Sequence, residues 1–179
     1  MRAPALLLGH DPRRVVPDEP DRSIGAEETF ERDIDDDTVI RRELLRLSER
    51  CAARLRATGQ VARTVSIKAR YSDFSTVTRS RTIGQPTDVA RVIYATAAAL
   101  LDALGRSGQL RLVGVRAEGL SHADEAPHQY TLAGDEEEWR AAEEVVDRAA
   151  ARFGSGTLRP AALVEPATDT APVARRPST

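Results

Sequence analysis

The chain has 179 residues, enough for one domain of ordinary size with tails or for two very small ones, and its 41% hydrophobic and 30% charged residues predict a soluble globular protein. Its single cysteine, Cys51, excludes an intramolecular disulfide and a cysteine-based metal site, and no apolar run approaches the roughly 20 residues of a membrane span. The net charge of −2 argues against a nucleic-acid-binding protein, because that class usually carries a basic excess. We expect a cytoplasmic protein with no membrane partner.

The first third of the chain predicts a linker, a strand and a helix. Residues 1–22 contain closely spaced prolines, which prevent a lasting helix and indicate a linker. Residues 23–34 alternate loosely between apolar and polar positions, as a strand does. Acidic residues 35–37 precede a helical periodicity that continues through Leu55, and Gly59 supplies its stop.

A hairpin follows this helix. Residues 61–71 form the clearest predicted strand, because alternate residues separate an apolar face from a cationic face that includes Lys68 and Arg70. The sequence SDF predicts a turn, and residues 75–83 pair back on the first strand. The inward face of this second strand is ambiguous, since either of two alternating sets could face the core: Thr76, Thr78, Ser80 and Thr82, or Val77, Arg79, Arg81 and Ile83.

The remaining elements complete an α+β pattern. Residues 84–88 break the hairpin strand before an apolar helix over 89–105, which Thr87 or Asp88 caps, and a strand over 110–120 follows. A further helix over 135–153 places Trp139 and Phe153 on a stripe that we expect to be buried. The element order predicts a four-stranded antiparallel sheet with two helices on one face (βαββαβ), an open opposite face, and an extra C-terminal helix.

Four sequence blocks, in order, resemble the little-finger domain of Y-family DNA polymerase IV: DRSIGAEETFERDI, VSIKARYSDFSTVTRSRTI, LRLVGVRAEGL and DRAAARFGSGTLRPAALV. The similarity extends from about Leu7 to Val164. It implies the end of a thumb and a linker at 1–22, a DNA-binding little finger at 23–120 and a C-terminal extension with a helix at 121–164. The composition of residues 165–179, rich in Pro, Thr and Ala, predicts a disordered tail.

In that family the open sheet face and the linker contact DNA phosphates. The resemblance therefore implies these DNA-binding residues: Arg22, Ser23, Gly25, Lys68, Arg70, Thr76, Thr78, Arg79, Ser80, Arg81 and Arg116. Residues 61–83 independently contain five basic residues against one acidic residue, which suits phosphate contacts that ignore base sequence. A solvated antiparallel face that carries charge for no binding purpose is the alternative.

The resemblance also implies what this chain lacks. The palm carboxylates that hold Mg²⁺ in the parent family lie upstream of the matched region, and Met1 falls where the thumb should be ending, so we expect no catalytic residue and no cofactor here. The acidic runs at 35–37 and 136–138 open helices, which predicts dipole compensation, and the histidines lack metal-ligand spacing. We predict no metal site.

The predicted function is binding of damaged or primer-template DNA through its backbone, as the little-finger part of a translesion DNA polymerase IV. The alternative is a protein-interaction module that docks on the sliding clamp or on a polymerase partner. Family members often carry a clamp-binding peptide of the type Gln-Leu-x-Leu-Phe. Gln129, Tyr130 and Leu132 match its position, and the terminal aromatic residue is missing.

Overall fold

A computed structural model describes residues 23–106, 108–125 and 135–164 of the chain. These residues form β1 (Ser23–Ile34), α1 (Asp37–Ala57), β2 (Gln60–Tyr71), β3 (Thr76–Thr87), α2 (Ala90–Ala103), β4 (Leu110–His122) and α3 (Asp135–Phe153), with short 3-10 turns at Ala123–Glu125 and Ala161–Leu163. The strands make one antiparallel sheet in the order β1-β4-β2-β3. The predicted α+β fold with an extra C-terminal helix is confirmed.

Helix α1 forms where the sequence predicted it and packs on one face of the sheet. The Asp36 carboxylate caps it by accepting hydrogen bonds from the backbone N–H groups of Thr38 (2.8 Å) and Val39 (3.3 Å). Gly59, with φ of +62°, follows its C-terminus in the left-handed conformation that glycine adopts easily. Its apolar stripe is fully buried: Ile40, Leu44, Leu47, Cys51 and Leu55. Together with α2 and the inner sheet face, this stripe makes the core.

The N-terminus of α2 is capped differently from the prediction. The helix begins after Val89, and Thr87 accepts a hydrogen bond only from the Val89 N–H, at 3.1 Å. The Ala90 N–H instead donates to the carboxylate of Glu143, at 3.0 Å to each oxygen, from a position 53 residues further along the chain. Asp88 does not cap the helix either, because its side chain pairs with Arg140 at 2.7 Å. A helix elsewhere in the chain therefore supplies this cap.

Strand β3 is longer than predicted and its two faces are now defined. It continues past Ile83 to Thr87, and it includes Pro86, which an edge strand tolerates because its outer N–H groups need no partner. The register shifts at this end, because Thr82 pairs with Thr64 whereas Thr87 pairs with Ala62. In the first half of β3, Val77, Arg79 and Arg81 lie on the helix side of the sheet. They pair with Ala69, Ile67 and Val65 of β2.

Helix α3 contacts the domain through charged side chains, and the predicted buried apolar stripe is wrong. Trp139 is 43% exposed and Phe153 is 68% exposed, whereas Glu143 is 8% exposed. The inward side chains are charged because they find partners at the ends of α1 and α2, including Arg56 and Asp88. Within the described ranges, no helix is both long and apolar enough to cross a membrane.

Candidate nucleic-acid interface

The sheet surface that faces away from α1 and α2, which we call the open face, is defined by the strand register. Directly paired residues point to the same side of a sheet, so Arg116 of β4 shares this face with Gly25 of β1 and Ser66 of β2. The same pairing adds residues from all four strands. The open face contains Ser23, Gly25, Glu27, Ser66, Lys68, Arg70, Thr76, Thr78, Ser80, Gly114, Arg116 and Glu118.

Two glycines give the open face a concave centre. A concavity of about 510 Å³ lies over Gly25 and Gly114, between the side chains of the outer strands. A Cβ atom at Gly114 would lie 3.1 Å from the Glu27 Cβ, which is tighter than ordinary packing, and 3.6 Å from the Lys68 Cβ. A Cβ at Gly25 would lie 3.5 Å from the Arg116 side chain. The glycines therefore let long side chains from neighbouring strands cross the sheet.

The charges of the open face are partly compensated. The Lys68 ammonium donates a hydrogen bond to the Glu27 carboxylate at 2.9 Å, passing over β4 at Gly114. The Ser66 hydroxyl donates to Glu118 at 3.2 Å. In contrast, the exposed Arg116 guanidinium makes no hydrogen bond or ion pair with any other described residue. The face is cationic through Lys68, Arg70 and Arg116, but less so than the sequence suggested.

The structure brings most of the predicted site residues onto one surface. Eight of them share the open face: Ser23, Gly25, Lys68, Arg70, Thr76, Thr78, Ser80 and Arg116. Arg79 and Arg81 do not join them, because they are exposed on the helix side of the edge strand. Arg22 lies outside the described residues, as do the clamp-peptide residues Gln129, Tyr130 and Leu132.

The charge balance drawn from the sequence left out the two acidic residues of this surface, Glu27 and Glu118, although the alternation in the last strand places Glu118 on the side of Arg116. Glu27 follows Gly25 by two positions and Glu118 follows Arg116 by two, so both have the alternation that places them on the open face. That signal was present in the sequence. Counting charges only within the hairpin at 61–83 concealed it, because the acids come from the other two strands.

The C-terminal domain of the impB/mucB/samB family matches residues 21–132, more than half of the chain. The chain belongs to this family. It is 40% identical over 134 residues to a DNA polymerase IV of Streptomyces coelicolor, covering 75% of this chain and 28% of that protein. It is also 40% identical over 163 residues to the DNA polymerase IV of Desulfatibacillum aliphaticivorans, covering 89% of this chain and 41% of that protein. The chain thus spans less than half the length of these relatives.

Comparison with solved structures agrees with the fold. A post-insertion binary complex of Dbh DNA polymerase aligns with a TM-score of 0.50 at 16% identity, over 56% of this chain and 29% of that chain. The little-finger domain of a DNA polymerase IV in complex with the beta-clamp processivity factor aligns with a TM-score of 0.46 at 23% identity. This alignment covers 62% of this chain and 98% of that chain. The predicted resemblance to this domain of DNA polymerase IV is confirmed by the family match over residues 21–132 and by the 40% identity to the two relatives.

This family member also carries an ionic cluster on its helix side, centred on Arg56. The Arg56 side chain, 8% exposed, donates to Asp147 at 2.6 Å and to the Asp88 carbonyl at 2.8 Å, and it also pairs with Glu143. Glu143 in turn caps α2. One buried guanidinium therefore ties α3 to α1 and to the start of α2.

Burial and neighbouring acids change the proton affinity of a carboxyl group in this cluster. The pKa of Glu49 is raised to about 7, first by burial and then by the negative charges of Glu143 and Asp147, against the lowering effect of Arg56. Burial also raises the pKa of Glu143, and the Ala90 N–H and Arg56 oppose that shift. The cluster is therefore rich in acid, with one cation opposite several carboxylates.

The described part of the chain holds neither a metal-binding cluster nor an exposed thiol. It contains no group of three or more His, Cys, Asp or Glu side chains able to hold a metal ion. Cys51 is buried, and burial raises the pKa of its thiol to about 11, so the reactive thiolate is scarce at neutral pH.

Proposed function

We propose that the open face binds duplex DNA through its sugar-phosphate backbone, as the little-finger part of a translesion DNA polymerase IV. Membership of the family supports the association with that polymerase. The observation that carries the proposal is the exposed Arg116 guanidinium. It lies beside Gly25 at the concave centre of the open face, and it has no partner among the described residues.

The chemistry of the open face suits phosphate groups. Arg70, Arg116 and Lys68 supply charged donors, and the hydroxyls of Thr76, Thr78 and Ser80 supply neutral donors along the neighbouring edge strand. Such groups position a protein on DNA without reading bases. The concave centre accepts a convex backbone better than a flat sheet would. We therefore expect binding that is independent of sequence and weakened by salt.

The arginines on the other side of β3 enlarge this surface at its margin. Arg79 and Arg81 are exposed on the edge strand, so their side chains lie at the margin of the open face, near a duplex that lies across it. We propose that they add attraction at longer range. In this proposal, the parts of the polymerase outside the matched region carry out the chemistry on the bound DNA. We also propose that the protein acts in the cytoplasm.

The first prediction compares two double variants. We expect R70Q/R116Q to weaken binding to a fluorescent duplex by about tenfold or more at low salt, and to reduce the slope of log affinity against log salt by about two, because two phosphate contacts are lost. The measurement is a fluorescence anisotropy titration at several salt concentrations. Two duplexes of unrelated sequence should give the same affinity.

The matched control is R42Q/R50Q, which removes the same charge from exposed positions on α1, on the opposite side of the molecule. We expect it to retain most of the affinity. Equal losses in the two double variants would mean that only net charge matters and that the open face is not the binding surface. No binding by the unaltered chain at low salt would contradict the proposal entirely.

The clamp-docking alternative stays a prediction of the sequence. Gln129, Tyr130 and Leu132 lie outside the described residues, and no contact or surface of the described part favours this function over DNA binding.

A further inference from the structure

Glu27 stands out on the open face because it engages a cation that the proposed function assigns to DNA. Its carboxylate accepts a hydrogen bond from the Lys68 ammonium at 2.9 Å, and the two side chains are 53% and 34% exposed. The pair does not join neighbouring strands. It links β1 to β2 across β4, which lies between them.

We propose that Glu27 competes with DNA phosphate for Lys68 and thereby lowers the affinity of the open face for duplex DNA. The inference rests on the proposed function. A carboxylate offers the same acceptor oxygens and the same sign of charge as a phosphate, so it occupies the donor positions that the backbone would take.

The geometry makes this competition possible because Gly114 leaves the path between the two side chains clear. A Cβ atom added at Gly114 would lie 3.1 Å from the Glu27 Cβ and 3.6 Å from the Lys68 Cβ, so a larger residue there would crowd the Glu27 side chain where it crosses β4. Both partners line the concavity of the open face, together with Arg116. The carboxylate therefore sits inside the surface proposed for DNA, and not at its rim.

The pair is also weak enough to be exchanged. Ion pairs that water reaches contribute little to folding, and their energy is comparable with one phosphate contact. When a phosphate takes Lys68, Glu27 remains beside the DNA as an uncompensated negative charge. Glu27 therefore disfavours binding in two ways. In the free protein it occupies Lys68, and in the complex it repels the DNA backbone.

The experiment compares E27Q with E28Q in the same anisotropy titration. Both variants remove one negative charge from the same strand, but Glu28 points to the helix side, where it pairs with Arg46 at 2.6 Å. We expect E27Q to raise the affinity by about threefold to tenfold and to steepen the salt dependence by about one, because Lys68 is released to bind phosphate. E28Q should change the affinity by less than about twofold, as a charge on the far side of the sheet is largely screened.

A second arm tests the link to Lys68. K68Q should weaken binding more in the E27Q background than in the unaltered chain, since only there is the ammonium free. Unchanged or reduced affinity in E27Q, or equal gains in E27Q and E28Q, would overturn the inference while leaving the proposed function intact. Loss of DNA binding by the unaltered chain would overturn both. Equal unfolding midpoints of E27Q and the unaltered chain in urea check that the fold is retained.

Discussion

Replacing Arg56 with methionine is expected to lower the free energy of unfolding by about 3–5 kcal/mol, because its loss leaves the buried Glu143 carboxylate without its cation. Arg56 is 8% exposed and contacts Glu143, Asp147 and the Asp88 carbonyl. Methionine fills a similar volume without the charge, so the loss reports electrostatics more than packing. The measurement is urea unfolding followed by far-UV circular dichroism.

The control for this prediction is R148M on α3. Arg148 is 69% exposed and lies 3.8 Å from Glu144, so its loss should cost less than about 0.5 kcal/mol. The fluorescence of Trp139, the only tryptophan, reports the docking of α3, because its ring stacks against Arg91 at 4.7 Å. We expect R56M to change this signal at lower urea than the dichroism. A cost below about 1 kcal/mol with an unchanged fluorescence transition would contradict the role given to Arg56.

The fold was predictable because its elements depend on local patterns. The buried stripe of α1, the acidic cap at Asp36 and the alternation from Val65 to Ala69 each specify an element and its inner face without reference to distant residues. The ends were less predictable. Pro86 is a strong local signal against a strand, and it is tolerated only because β3 lies at the edge of the sheet, which is a property of the whole topology.

Pairing across the chain could not be predicted from local patterns. Trp139 and Phe153 have the spacing of a buried stripe, yet α3 turns its charged side inward because Arg56 and the free N-terminus of α2 accept those charges. The helical period identifies two faces of a helix, but the choice between them depends on which partners the fold presents. For the same reason, the sequence around α2 could not show that Glu143 of α3, rather than a neighbouring residue, caps its N-terminus.

The candidate site was predicted in its composition but not in its electrostatics. The eight residues gathered on the open face come from three separate sequence blocks, and the resemblance to a known domain assembled them. The ambiguity at β3 was real, since Arg79 and Thr78 have equally regular alternation and only the pairing with Ile67 and Lys68 decides their sides. The opposing charge of Glu27 became visible only when the register placed it beside Lys68.

Stability is expected to fall as the pH rises from about 4.5 to about 7, which is opposite to the behaviour of most salt-bridged carboxylates. The folded-state pKa of Glu49 is about 7 against an ordinary value of 4.5, so within this window the folded chain binds more protons than the unfolded chain. The stabilisation is fully present below pH 4.5 and is lost as the pH passes through 7. The raised pKa of Glu143 acts in the same direction.

Glu49→Gln should remove most of this pH dependence, because glutamine keeps the neutral form at every pH. We expect E49Q to be slightly more stable than the unaltered chain at pH 5 and more stable by about 2 kcal/mol at pH 8, less than the full pKa difference would give because water reaches part of Glu49. E137Q, at an exposed position of α3, is the matched control and should leave the pH profile unchanged. The measurement is urea unfolding at pH 5, 6.5 and 8. If the free energy of unfolding changed with pH equally in E49Q and in the unaltered chain, Glu49 would ionise as readily in the cluster as in water, and the prediction would be wrong.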